Sequence, residues 1–265
     1  MTKPYPGTQA VLRAVALLKV FDDAHPAWAL NEIAYKTGLN KTTAFRLLSA
    51  LESEGLVART PAGDAYTLGP EMAALGGRAL RRHNLRAVVR PELEQLAAAT
   101  GETASLEILA GDEILIIDEA FGEHLLSGVQ SLGTRWPIHA TSTGLALLAF
   151  MPEERRERLL QRPLLPVTSH TITDLTALRA HLEQIRAQGY AATDEMLELG
   201  LVAIGAPLYN HDGQVVAAIS VFGPKLRLTS ERIPVIGRLL QETAVRISAQ
   251  LGYKPVAPAA HPIDD

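Results

Sequence analysis

Residues 30–57, LNEIAYKTGLNKTTAFRLLSALESEGLV, decide the fold of the N-terminal part. A short helix beginning at Asn31, whose side chain can cap the amides of Glu32 to Ala34, is predicted to stop at Gly38. A second helix is predicted from Lys41 to Glu54, ending at Gly55. With Lys41 at zero and about 100° per residue, Ala44, Leu47, Leu48 and Leu51 fall between about 240° and 340°, whereas Thr42, Phe45, Arg46 and Ser49 fall between about 40° and 140°. One face is therefore core, and the opposite face carries a guanidinium, hydroxyls and an aromatic ring. Such a face can be plain solvated helix surface. It also suits a nucleic-acid groove: Arg46 reaches a guanine edge or a phosphate, Thr42, Thr43 and Ser49 offer hydroxyls, and Phe45 packs on a thymine methyl. Lys41, at the helix start, adds phosphate attraction.

The flanking sequence favours the groove. Upstream, Val11, Leu12, Val15, Leu18 and Phe21 recur at helical spacing between Thr8 and Ala24, until His25-Pro26 ends the run. Downstream, Leu56 to Arg59 and Ala65 to Leu68 bracket the turn residues Pro61-Ala62-Gly63-Asp64, the pattern of a small hairpin. Helix, turn, basic helix and hairpin in that order make a winged helix-turn-helix, with Arg59 on the wing.

Charge along the chain agrees. The 265 residues carry a net charge of -4, but the first 90 hold 12 Lys and Arg against 7 Asp and Glu, and the rest hold 13 against 22. The basic end is the one carrying the predicted helix-turn-helix, as contact with a polyanion requires. No cysteine is present, which excludes a disulfide framework, a thiolate metal site and a thiol nucleophile. The longest uncharged run, Trp136 to Pro152, contains Pro137, His139 and three adjacent hydroxyl residues, a poor bilayer span. A cytoplasmic protein without membrane contact is expected.

Beyond a helical stretch starting after Gly69-Pro70 and containing Arg78, Arg81 and Arg82, the periods change. Strands are predicted for Thr103 to Leu109 and Glu113 to Phe121, and a late hairpin for Gly200 to Leu208 and Gln214 to Phe222 around Asn210-His211-Asp212-Gly213. Helices are predicted through Leu93 and Leu96, and for His139 to Met151, Pro152 to Gln161, Asp174 to Gln188 and Thr229 to Leu251. The segment Pro-Ile-His-Ala-Thr-Ser-Thr-Gly at 137–144 places three hydroxyls at a helix start, either as ordinary capping or as a receptor for a carboxylate.

The run quoted first, together with ALRRHNLRAVVRPELEQLAAATGETASL, DEILIID, PIHATSTGLALLAFM and LVAIGAPLYNHDGQVVAAISVFGP, resembles the isocitrate lyase regulator (IclR) family of bacterial transcription factors from about residue 8 to 252. The resemblance implies an α+β chain: a winged helix-turn-helix DNA-binding domain at 8–69, a helical linker at 70–88, a GAF-like α/β effector-binding domain with a mainly antiparallel sheet at 89–253, and a flexible tail at 254–265. It implies a pocket for a small organic effector built from Gly128, Trp136, Thr141, Ser142, Thr143, Gly144, Thr193, Ala203, Ser220 and Phe222. Three positions depart from the family pattern: Leu145 replaces a frequent Lys, Ala203 a frequent Cys and Phe222 a small polar residue, which makes the pocket more apolar. Trp136 and Phe222 can flank a ring or acyl chain, or simply fill core. The implied partners are a palindromic double-stranded DNA operator, the effector, and a second copy of the chain in a homodimer, often doubled into a dimer of dimers. Repressor and activator both fit.

No cofactor and no metal are expected, because the eight histidines are scattered and no Walker A, HExxH, GxSxG or GxGxxG pattern occurs. The rival reading is a hydrolase of the C-terminal domain using His139, the hydroxyl cluster and Glu195; Asp194 and Glu195 also read as an acid/base or metal pair, or as surface and capping residues.

Overall fold

The computed structural model describes residues 8–22, 25–82, 85–123 and 132–254, without the side chains of 77–82; the predicted tail at 254–265 lies almost wholly outside them. The chain divides into two compact units, 1–83 and 84–265.

In the first unit, α1 (Gln9–Leu18), α2 (Leu30–Thr37) and α3 (Lys41–Ser53) enclose a core of Leu17, Ile33, Ala34, Ala44, Leu48, Leu51, Val57 and Tyr66. α2 begins one residue earlier than the sequence suggests. Its N-cap is Ala29, whose N–H donates to the Glu32 carboxylate at 2.9 Å, so Asn31 is inside the helix and does not cap it. The reaching-back Glu32 supplies the satisfaction expected from Asn31. α3 is capped by Asn40, whose Oδ1 accepts from Thr43 N–H at 2.8 Å. Gly38 and Gly55, at φ 67° and 68°, take the left-handed backbone that ends each helix. β2 (Val57–Arg59) and β3 (Ala65–Leu68) form the wing hairpin, and β1 (Ala27–Ala29) pairs with β3 as a third antiparallel strand. The three residues of β1, after His25-Pro26, are too few to show a strand period in the sequence. α1 is shorter than the predicted Thr8 to Ala24, and Val11, Leu12 and Val15 on it are exposed. α4 (Pro70–Arg82) follows the hairpin.

In the second unit, α5 (Leu85–Thr100) precedes β4 (Thr103–Ala110), β5 (Glu113–Ala120) and β6 (Arg135–Pro137). Next come α6 (Ser142–Phe150), α7 (Glu153–Leu160), α8 (Leu175–Gln188), β7 (Ala191–Asp194), β8 (Leu201–Tyr209), β9 (Val215–Pro224) and α9 (Arg232–Gln250). The six strands form one antiparallel sheet in the order β6-β5-β4-β9-β8-β7. α5 packs with α9, and α6 with α8, against the sheet. Strands covered on both faces need no polar side, which explains why β8 and β9 read as apolar runs. The core beneath α6 gathers Ile114, Ile138, Leu145, Leu148, Leu178, Leu182 and Ile185. Leu145, where the resembled family often has Lys, is thus fully buried in this core.

Two register features place the next section's groups. Thr193, Ala203, Phe222 and Thr103 lie opposite one another across β7, β8, β9 and β4; Gly205, Ser220, Ser105 and Glu119 make the adjacent row two residues along, extending onto β5. Period-2 alternation puts both rows on one face, together with Glu107. At Leu106/Glu107 the β4–β5 ladder has a bulge, so Leu106 pairs with Asp118 and Glu107 with Ile116.

Candidate DNA-reading face and ligand cleft

On α3, Lys41, Thr42, Phe45 and Arg46 are exposed, and Thr43 and Ser49 are half-buried. Ala44, Leu48 and Leu51 are buried on the opposite side, as the angular division predicts. Phe45 is 44% exposed on this face. Arg59 on the wing is exposed but engaged: its Nε donates to Glu52 at 3.2 Å and its guanidinium lies 5.0 Å from the Tyr66 ring centre. A phosphate contact by Arg59 therefore competes with Glu52.

In the second unit a narrow cleft, about 20 Å³ in volume, is lined by Glu107, Thr141, Ser142, Thr143, Thr193, Leu197, Leu201, Ala203, Ser220 and Phe222. Seven of the sequence-derived pocket residues are on this surface. Gly144 is not: its N–H donates to Thr141 Oγ1 at 3.0 Å, and a Cβ there would sit 2.0 Å from the Ile138 carbonyl oxygen, so its role is close packing. Trp136 is also elsewhere, on the edge strand β6 opposite Ile114. Gly128 lies outside the described residues.

The cleft forms where the start of α6 meets the sheet. Thr141 is the N-cap, and the helix end approaches β8 so closely that a Cβ on Gly205 would lie 2.9 Å from the Ser142 carbonyl carbon. First-turn amides of a helix have no partner within it, and they carry the positive end of its dipole. The cleft floor is the group the sequence reading missed. Glu107 is 4% exposed; Ser105 Oγ donates to its Oε1 at 2.6 Å, and Thr143 Oγ1 donates to its Oε2. Ser220 Oγ is 2.7 Å from Ser105 Oγ and, with that hydroxyl's proton committed to Glu107, is the donor. Burial pushes the Glu107 carboxyl above the usual range against these hydrogen bonds. Glu119, on the same face, is pushed up to about 8 by burial, with the Glu107 and Asp118 charges adding to it. A sign was present in the sequence: Glu107 is the third member of the polar alternation Thr103, Ser105, Glu107 on a strand whose other residues are apolar.

The groups of the rival hydrolase are not assembled here. His139 is buried with Nε2 2.9 Å from the Leu165 carbonyl oxygen, and Glu195 accepts from Lys225 Nζ at 2.7 Å and from Gly200 N–H at 2.8 Å; neither lines the cleft. Lys225 also pairs with Asp194 at 2.8 Å, so the two adjacent acids share one cation on the surface. Among the described residues no group of three or more acidic or histidine side chains could hold a metal ion, and no helix is long and apolar enough to cross a membrane.

Comparison with known proteins places these features among relatives. The family described as "IclR helix-turn-helix domain" matches residues 10–61, and "Bacterial transcriptional regulator IclR C-terminal" matches residues 77–249. The HTH-type transcriptional regulator KipR of Bacillus subtilis is 31% identical over 92% of this chain and 98% of its own length. The HTH-type transcriptional repressor AllR of Klebsiella pneumoniae is 33% identical over 95% of this chain and 93% of its own. The crystal structure of an IclR homologue from Microbacterium hydrocarbonoxydans, complexed with 4-hydroxybenzoate, superposes with a TM-score of 0.81 at 30% identity, covering 92% of this chain and 99% of that one.

Proposed function

The chain belongs to the IclR family of bacterial transcriptional regulators, and from that premise we propose how its two units divide the work of ligand-responsive transcription control. Residues 8–69 of the first unit read double-stranded DNA with α3 in the major groove: Arg46 and Phe45 against base edges, Lys41, Thr42, Thr43 and Ser49 toward phosphates, and Arg59 at the flanking backbone. Residues 70–88 connect it to the effector unit, 89–253.

The effector unit binds a small carboxylate or aromatic acid. The observation that carries this reading is the chemistry of the cleft lining: hydroxyls of Thr141, Ser142 and Thr143 at a helix start, with Phe222, Leu197 and Leu201 as apolar walls, in a narrow cleft that widens to admit the ligand. The ligand carboxylate meets the first-turn amides of α6 and a ring lies along the apolar walls. The relative crystallised with 4-hydroxybenzoate supports that chemistry. Ala203 and Phe222, in place of the family's thiol and small polar residue, shift selectivity toward rings and away from short hydrophilic acids.

Two copies act together. Val11, Leu12 and Val15 on α1 are 64%, 50% and 42% exposed, an apolar strip that a second copy covers. A symmetric pair of heads requires a palindromic operator with half-sites about one helical turn, or a multiple of it, apart. Effector units pair these dimers in turn. The protein works in the cytoplasm, and the ligand acts by binding the DNA-competent and DNA-incompetent arrangements unequally. Calorimetric titration of the full-length protein with 4-hydroxybenzoate and other small aromatic acids tests the reading: saturable binding that Phe222→Ala weakens supports it, and no heat with any of them overturns it.

A further inference from the structure

We propose, building on the ligand reading above, that the cleft takes up an organic anion together with one proton, and that the Glu107 carboxyl carries this proton.

The first argument is charge. An anionic ligand enters a cleft already bordered by a buried carboxyl, and among the described residues none that lines it is basic. Several cations of this unit are engaged elsewhere. Arg86 and Arg90 on α5 hold Asp118 at 3.0 and 3.1 Å, Arg227 holds Glu102 through two contacts of 2.6 and 2.7 Å, and Lys225 holds Asp194 and Glu195. The groups that face Glu107 do not supply a positive charge either. β5 contributes Glu119 on the same face, while α6 and β9 carry no titratable side chain. His139, just before α6, is occupied by the Leu165 carbonyl. Two like charges in a water-poor site disfavour each other, so one of them is neutralised.

The second argument is the direction of the hydrogen bonds. With Glu107 ionised, Ser105 and Thr143 both donate to it and Ser220 donates to Ser105, so these three hydroxyl protons are all committed inside the wall. A proton added at Glu107 Oε2 reverses one bond: the acid O–H then donates to Thr143 Oγ1, and the hydroxyl hydrogen of Thr143 is released to donate to the ligand carboxylate. No covalent bond other than O–H changes. One proton is taken from solvent and the ligand gains one donor. Burial already holds the free Glu107 above the ordinary carboxylate range, which brings the uptake toward neutral pH.

The test is calorimetric titration of the full-length protein with 4-hydroxybenzoate from about pH 6 to about pH 8.5, in paired buffers of different ionisation enthalpy. The wild-type protein is expected to take up close to one proton per cleft at the alkaline end, with affinity falling up to about tenfold per pH unit. Glu107→Gln is expected to bind with neither buffer-dependent heat nor that slope, and Glu107→Asp to retain both. Wild-type binding with no proton uptake and no pH dependence overturns the proposal whatever the variants do, and so does an unchanged slope in Glu107→Gln. Absence of heat from the wild-type protein at every pH is a different result: it removes the ligand reading, and this inference with it.

Discussion

Thr143 Oγ1 donates a hydrogen bond to Glu107 Oε2, tying the first turn of α6 to the interior strand β4. The bond makes the wall of the cleft and its floor a single unit. Replacing Thr143 by Val keeps the shape and removes the donor to a buried carboxyl, which costs about 1–3 kcal/mol. A lowered urea midpoint with an unchanged slope is the expected result, and an unchanged midpoint would show that the bond does not contribute to stability.

Glu119 gives the stability of the chain a pH dependence of known sign. Its carboxyl is raised to about 8 in the folded protein, so the folded state binds this proton more tightly than the unfolded state does. Stability is fully present below the ordinary carboxylate range and is lost as pH rises toward about 8. Urea unfolding at about pH 5 and at about pH 8.5 should therefore show a fall for the wild type that Glu119→Gln reduces by more than about 1 kcal/mol. Glu107 contributes a fall of the same sign, so the variant flattens the profile without abolishing it.

Arg227 and Glu102 form a two-point ion pair across 125 positions of sequence, with the Glu102 side chain only 1% exposed. Arg227→Met leaves that carboxylate buried without its partner, an imbalance worth about 3–5 kcal/mol. Thermal unfolding should show the loss, and Glu102→Gln combined with Arg227→Met should recover part of it.

Arg46 and Lys41 are expected to act differently on DNA. Arg46→Ala should weaken specific binding by about 1–3 kcal/mol and relax the preference at one base pair, with unfolding unchanged. Lys41→Ala should weaken all sequences alike and lower the slope of log affinity against log salt by about 1. Anisotropy titrations at several salt concentrations separate the two.

The first unit was legible because its signals are local. The 3.6-residue period of α3, the glycines that end α2 and α3, and the turn at Pro61 to Asp64 each act within a few residues of themselves. Errors arose where two local solutions competed, as when Glu32 reaching back to Ala29 displaced Asn31 as the cap of α2. In the second unit the helix start at Thr141 to Thr143 was readable, whereas Glu107 was not. Its membership of the cleft depends on the pairing of β4 with β9, whose residues Ser105 and Ser220 stand 115 positions apart. Trp136, an aromatic close in sequence to the hydroxyl cluster, stands on β6 at the sheet edge.

The central claim is that occupancy of the cleft changes DNA affinity. Its most direct measurement is an anisotropy titration of the full-length protein on a site that it selects from a random-sequence pool, with and without saturating 4-hydroxybenzoate. A palindromic selected site, and a shift in affinity of about 5- to 150-fold that Phe222→Ala abolishes, is the predicted result. Saturable ligand binding that leaves DNA affinity unchanged would contradict it.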